Sequence, residues 1–372
     1  MDALILSCGT GGGHDAAAKA VEEELLRRGV RTTRMNPYTL KSEQLAHRID
    51  QSYIRLVQTM PQLFGAVYAR GNWYRKVPLH SPVFALNAKM VPYLNEFLST
   101  HHFDVILLTH FFPGGYLSNM KLQGLQIPPS ILIATDYTCV PLTEEVTADA
   151  YVIPADDLTS EFTCRNIPAE KIHPIGIPVS CAFRSATSKK AARKELGLEA
   201  DKRYLLIAGG SMGAGKLVKV LSLLDQEIPD RDTRFIVICG KNPKLYQRLE
   251  SLALDRMTIL QHTDRMSLYL KACDAFLSKP GGLSTTEAAV SGIPLVHITP
   301  IPCCETKNAA YFKLHGMSCS ACNSVSELTE VLAFLQDEEF VHSMRVAQRD
   351  QINAHAACDI CDLAEELVAN TH

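Results

Sequence analysis

Residues 205–216 read Leu-Leu-Ile-Ala-Gly-Gly-Ser-Met-Gly-Ala-Gly-Lys. An apolar run of strand length passes into closely spaced glycines, which permit a tight strand-to-helix turn and let a ligand approach the backbone. Residues 3–14 repeat the arrangement as Ala-Leu-Ile-Leu-Ser-Cys-Gly-Thr-Gly-Gly-Gly-His, with a helical pattern beginning near Asp15. Outward from these two turns, short apolar runs alternate with longer helical patterns, the mark of a parallel sheet covered by helices. The strand candidates of the first half are Ala3–Ser7, Val30–Met35, Val105–Thr109, Ser130–Thr135, Ala150–Ile153 and Ile172–Ile175. Those of the second are Tyr204–Ala208, Phe235–Cys239, Thr258–Leu260, Ala275–Ser278 and Leu295–Ile298. Each half reads as a complete doubly wound unit, so the fold class is α/β with two Rossmann-like domains.

The 372 residues suffice for two such domains, each with its own core. Gly176-Ile-Pro-Val-Ser-Cys-Ala-Phe, followed by the polar Ser188–Glu199, suits a boundary. The expected division is a first domain over 1–178, a linker and first helix over 179–202, and a second domain over 203–340. A final helix over 341–372, within a helical pattern from Asp337 to Val368, is expected to pack across both. Residues 38–98 form a helical insertion without strands. It carries Trp73, Tyr74, Arg75 and Lys76, a pairing of aromatics and cations that suits a membrane-surface patch. The competing reading of the insertion's apolar stripe is core beneath two helices.

A net charge of −3 gives no global attraction to nucleic acid. Met1 to Cys8 passes straight into glycines with no basic n-region, and no run approaches the roughly 20 apolar residues of a membrane span. The expectation is a cytoplasmic protein whose membrane contact is peripheral. Several of the twelve cysteines lie in apolar runs and read as packed, reduced thiols. The pairs Cys319/Cys322 and Cys358/Cys361 raise zinc as an alternative, but their separation is about twice that of a finger and the second pair sits in a helical pattern.

The chemistry-bearing residues cluster at strand ends. Gly9-Thr-Gly-Gly-Gly-His14 sets His14 at the mouth of the first sheet, where it either touches a substrate hydroxyl or caps the turn. Gly210 to Lys216 satisfies G-x-x-x-x-G-K, yet Leu217 replaces the hydroxyl residue that would hold magnesium. A loop that cradles a diphosphate without a metal fits better, with Gly210, Ser211 and Met212 as its turn. Lys279-Pro-Gly-Gly282 turns from a strand into a helix whose Thr286 and Glu287 follow, and a carboxylate at 287 suits a ribose diol. Glu305 and Asn308, three apart at a helix start, face one side and could read sugar hydroxyls, with helix capping as the alternative.

Gly11-Gly-Gly-His14, Cys239-Gly-Lys-Asn242, Lys279-Pro-Gly-Gly282 with Thr286-Glu287-Ala288, and Pro302 to Asn308 together resemble the monogalactosyldiacylglycerol synthase and processive diacylglycerol glucosyltransferase family. That family is related to the N-acetylglucosaminyltransferase of the peptidoglycan lipid intermediate. The resemblance spans essentially the whole chain. It implies a GT-B fold, two domains facing across a cleft, and inverting transfer of galactose or glucose from a UDP-hexose to diacylglycerol. The donor would lie against the second domain, drawing on Gly240, Lys241, Asn242, Lys279, Pro280, Gly281 and Gly282. The acceptor would lie against the first, near Gly12, Gly13, His110 and Tyr137. Peripheral attachment to the inner face of the cell membrane is implied, and no cofactor or metal.

An inverting transfer needs a base. His14 is placed ahead of Asp136, which follows Ala134-Thr135 at a strand end and is the second candidate. Many family members carry a His and then a Trp shortly after that aspartate, where this chain has Val140 and Thr143. The Pro-Gly-Gln-Glu-like segment has become Pro302-Cys-Cys-Glu305. The other readings are transfer to another lipid-linked or small hydroxyl acceptor, a sugar-nucleotide epimerase, and a catalytically idle GT-B protein.

Overall fold

The computed structural model describes residues 1–9, 12–59, 80–209, 217–228, 230, 232–252, 255–301, 303–321 and 325–370. They form two compact units. The first holds Met1–Ser180 and the last helix; the second holds Cys181–Ile301 and Glu305–Ala354.

The first unit is a six-stranded parallel sheet of β1 (Asp2–Leu6), β2 (Arg31–Met35), β3 (Val105–Leu108), β4 (Ser130–Ile133), β5 (Ala150–Val152) and β6 (Ile172–His173). Their order is β2-β1-β3-β4-β5-β6. Strands of a parallel sheet are covered on both faces and so read as unbroken apolar runs. Ala3, Leu4, Ile5 and Leu6 are accordingly all inaccessible, as are Val105, Ile106, Leu107 and Leu108. Between β1 and β3 the chain reverses its direction of travel across the sheet. This is the switch point at which such sheets open a crevice beyond their strand ends.

The second unit has β7 (Arg203–Ala208), β8 (Thr233–Ile238), β9 (Met257–Leu260), β10 (Ala275–Ser278), β11 (Leu295–Ile298) and β12 (Cys319–Ala321), all parallel. Their order is β12-β11-β10-β7-β8-β9, with the switch between β7 and β10. Its core joins Leu205, Ile207, Phe235, Val237, Leu277 and Val296 to the helical residues Leu221, Leu224, Leu328 and Val331.

Two features correct the sequence reading. β12 went unpredicted because three residues at a sheet edge carry no period. The single terminal helix is in fact two helices, Glu338–Gln351 and Ala356–Ala369, parted at Ile352, whose backbone is extended (φ −105°, ψ 120°). Asn353, which favours non-helical backbone, follows that break. The first of the pair serves the second unit: Gln348 Nε2 donates to the carbonyls of Ile293 (3.1 Å) and Met317 (2.9 Å). The other covers the first unit's sheet with Ile360, Cys361, Leu363 and Ala364. There Arg28 bridges Glu24 (2.9 Å) on helix Gly12–Arg27 to Asp362 (2.6 Å).

Cys361 is thus a core residue, while Cys322 and the proposed patch Trp73, Tyr74, Arg75 and Lys76 lie outside the described residues. Among the described residues no group of three or more His, Cys, Asp or Glu could hold a metal, and no helix is long and apolar enough to cross a membrane.

Candidate functional site

In the first unit the turn after β1 leads into helix Gly12–Arg27, and His14 stands in its first turn. The turn after β3 begins at Thr109 and His110, so both flank the switch point. His14 Nδ1–H donates to the Thr109 carbonyl oxygen at 2.7 Å, and Thr135 Oγ1 lies 3.0 Å from the same nitrogen. A carbonyl only accepts, which places the ring hydrogen on Nδ1 and leaves Nε2 with its lone pair. Burial lowers the His14 pKa, the Thr109 bond opposing it, so the ring is neutral at physiological pH. His110 packs edge-on against it, ring centroids 4.5 Å apart. Burial, then the charge His14 could carry, holds His110 well below the imidazole range. Its Nδ1 accepts from Phe112 N–H (3.1 Å) and caps helix Phe111–Leu122.

His14, His110 and Asp136 share a cavity of about 310 Å³ that is partly open to solvent. The rest of its wall is largely apolar: Phe111, Phe112, Leu132, Ile133, Pro141, Leu142, Val152 and Phe162 among others, with Val140 and Thr143. A sealed, empty void of that size would cost on the order of 7 kcal/mol, comparable with the whole stability of a domain. Opening to solvent relieves that cost, so the space can persist in the folded protein. The two expected base candidates are therefore brought together. Tyr137 is not part of the wall; it is only 2% exposed, because its strand-end position turns it into the core. Gly12 and Gly13 open the helix that carries His14.

Asp50, on helix Glu43–Thr59, has no sequence signal that marks it. Its carboxylate accepts the Gly9 N–H, and Asn36 Nδ2 donates to its Oδ2 at 3.2 Å. A Cβ at Gly9 would sit 2.3 Å from that oxygen, so only glycine lets the carboxylate approach the turn. Desolvation, reinforced by Asp15, pushes Asp50 up to about 6. The folded state therefore holds this proton more tightly than the unfolded chain. The carboxylate's cost to stability is absent below the ordinary Asp range near 3.9, grows as pH rises, and is complete above about 6. Asp50→Asn should raise the melting temperature by a few degrees at pH 8 and not at all near pH 3.5, read by paired thermal melts.

In the second unit the turn after β10 is held from beneath. Lys279 Nζ lies 3.0 Å from Glu305 Oε1, both nearly buried, and Glu305 Oε2 accepts the Ile301 N–H at 2.6 Å. Asn308 is fully buried, its Nδ2 donating to the Pro280 carbonyl at 2.9 Å. Glu305 and Asn308, expected from sequence to read sugar hydroxyls or to cap the helix, hold the turn in place. Thr286 likewise is inaccessible and donates back to the Gly282 carbonyl at 2.7 Å, within its own helix. Gly240 (φ +62°) supplies a left-handed turn after β8, and Asn242 Oδ1 caps the next helix by accepting from Leu245 N–H at 3.0 Å. Lys241 beside them is exposed. Gly210, Ser211 and Met212 lie outside the described residues.

Two residues stand apart. Glu287, on helix Gly282–Ser291, makes no hydrogen bond or ion pair with any described residue, and desolvation pushes it up to about 8. A partly accessible carboxyl with its pKa raised and no described partner is a candidate ligand contact. Gly281 has negative φ (−70°), and a Cβ there would meet nothing within 4 Å. Neither positive φ nor packing demands glycine, which leaves its role as the helix N-cap or the close approach of a ligand. Gly281→Ala should leave the melting temperature within about 1–2 °C, since glycine is only slightly favoured at such a cap. It should still weaken nucleotide-sugar binding about tenfold or more, a loss of about 1.4 kcal/mol or greater by calorimetry.

Comparison with known proteins adds to this geometry. The family described as monogalactosyldiacylglycerol (MGDG) synthase matches residues 14–179, and the glycosyltransferase family 28 C-terminal domain matches residues 204–358. The processive diacylglycerol beta-glucosyltransferase of Bacillus pumilus is 25% identical over 98% of this chain and 94% of its own. Among solved structures, Acinetobacter baumannii MurG superposes with a TM-score of 0.64 at 16% identity, covering 98% of this chain and 99% of its own. Arabidopsis thaliana UGT89C1, complexed with UDP-L-rhamnose, gives 0.65 at 13% identity, covering 99% of each chain. At those identities the structural likeness establishes the fold, which is GT-B. With both halves of the sequence matched in order, the chain is a glycosyltransferase that belongs to the monogalactosyldiacylglycerol synthase and processive diacylglycerol glucosyltransferase family.

Proposed function

We propose that the protein transfers a hexose from a UDP-sugar to diacylglycerol, with inversion at the anomeric carbon and without a metal. The observation that carries this reading is the state of His14: a neutral imidazole, its Nδ1–H committed to Thr109, its Nε2 without a partner among the described residues, on the wall of a largely apolar cavity. Nε2 takes the proton of the acceptor hydroxyl as that oxygen bonds to the anomeric carbon. The bond from that carbon to the diphosphate oxygen breaks, and UDP leaves with the electron pair. The new charge is met by N–H groups and the positive end of helix Gly282–Ser291. Glu287 takes the ribose diol. Val140 and Thr143 cannot serve as bases, which leaves the proton to His14, with Asp136 beside it on the same cavity.

Diacylglycerol as acceptor is supported by the relatives' names and by a cavity with little to offer a polar molecule. A UDP-sugar donor is supported by the UDP-bound structural neighbour and by the unpaired Glu287. Such an enzyme would work peripherally at the inner face of the cell membrane. The test is to incubate purified protein with labelled UDP-glucose, UDP-galactose or UDP-N-acetylglucosamine and diacylglycerol liposomes in EDTA. Label passing into the lipid phase from a hexose donor is expected. A changed UDP-sugar released without acceptor would mean an epimerase, and label passing only to another acceptor would replace diacylglycerol.

A further inference from the structure

The cavity beneath His14 carries more than the acceptor's hydroxyl. His14, Thr135 and Asp136 are on its wall with Thr138 and Thr143, but most of the wall is apolar, with side chains such as Leu132, Val140 and Phe162. A sugar or headgroup pushed against that apolar wall would leave hydroxyls without partners, which apolar surroundings penalise. At about 310 Å³ the space is roughly twice that of a cavity known to take a benzene ring, volume enough for a stretch of hydrocarbon chain. Leu142, also on the wall, holds φ +72°, a left-handed backbone that a branched aliphatic residue adopts only under constraint. A bulky apolar side chain is kept there against its own preference, as at a site shaped for a ligand.

We propose that this cavity is a slot for one fatty acyl chain of the acceptor. The chain lies against Leu132, Val140 and Phe162, and the acceptor hydroxyl stays at the mouth beside His14 Nε2. This rests on the acceptor reading above and extends it: the slot sets chain-length selectivity. Each methylene that enters multiplies affinity by about fourfold until the slot is full.

The experiment compares wild type with Val140→Phe and Val83→Trp, which plug the slot from two partly exposed wall positions. Transfer to dihexanoyl-, didecanoyl- and dioleoylglycerol in detergent micelles is measured, and binding of radiolabelled dodecanol is followed by equilibrium dialysis. Wild type should bind one dodecanol per chain and prefer the longer acceptors. Either plug should abolish that binding and cost the long acceptors more than dihexanoylglycerol, lowering the ratio of their kcat/KM values at least about tenfold, the contact of two further methylenes. A folded plug variant that retains dodecanol binding and an unchanged chain-length preference overturns the slot. Failure of wild type to glycosylate any diacylglycerol would sink the acceptor reading alone, because dodecanol binding and its loss on plugging would still report on the slot.

Discussion

His14→Ala should lower transfer to diacylglycerol about a thousandfold, the middle of the range for loss of a general base, while UDP-hexose affinity stays within about twofold. The two effects separate because His14 belongs to the first unit and the residues proposed for the nucleotide, Glu287 among them, belong to the second. Turnover and calorimetric titration with the donor measure them independently. The wild-type pH profile carries the same information. Burial holds His14 below the ordinary imidazole value near 6.5, so the ring is already a competent base at neutral pH. At saturating UDP-hexose the rate should be flat across neutrality and fall only at acid pH, and that acid limb should vanish in the residual activity of His14→Ala. An Asp136→Asn variant as inactive as His14→Ala, beside a His14 variant that keeps its rate, would transfer the base role to Asp136.

The second large effect is at Glu287. Glu287→Gln should weaken UDP-hexose binding about ten- to hundredfold, the worth of hydrogen bonds to an ionised group in a desolvated site. The pH dependence distinguishes this from mere distortion. In the free protein the carboxyl is pushed up to about 8 and is mostly protonated at pH 7. Ribose hydroxyls donating to it favour the ionised form, so the bound pKa is lower and binding releases a proton. Affinity should therefore rise with pH through neutrality, by up to about tenfold per unit, and level off above about 8. The diphosphate diester keeps its charge over this range and contributes no slope. In Glu287→Gln the slope should disappear. Calorimetry in buffers of different ionisation enthalpy reads the released proton directly.

Much of the fold was legible because parallel strands buried on both faces announce themselves. Leu4 to Leu6 and Leu205 to Ala208 are apolar without interruption, and each runs into a glycine turn. β12 carries no such signal, being three residues at an edge. The terminal helix was misread because its period continues through the sequence even where extended Ile352 breaks the backbone.

At the candidate site, the placement of His14 was legible from its position after the glycines, and that of Glu287 from its position one turn into the helix after β10. What the sequence could not reveal were long-range partners. His14 is fixed by a backbone carbonyl 95 residues away, which no side-chain pattern records. Asn308 donates its amide to the carbonyl of Pro280, 28 residues earlier, a contact that its sequence position does not announce. Asp50 reaches Gly9 from a helix whose sequence is unremarkable, and only the absent Cβ at Gly9 reveals the contact. Val140 and Thr143, departures from the family pattern, turn out to share the cavity wall with Leu132 and Phe162.

The most direct test of the central claim is the structure of the product. Purified protein is given an α-linked UDP-hexose and dioleoylglycerol, and the anomeric proton of the recovered lipid is read by NMR. The account predicts a β-linked hexosyl diacylglycerol, formed by inversion with His14 as base. A product that retains the α configuration, or no glycosylated diacylglycerol from either UDP-glucose or UDP-galactose, would contradict it.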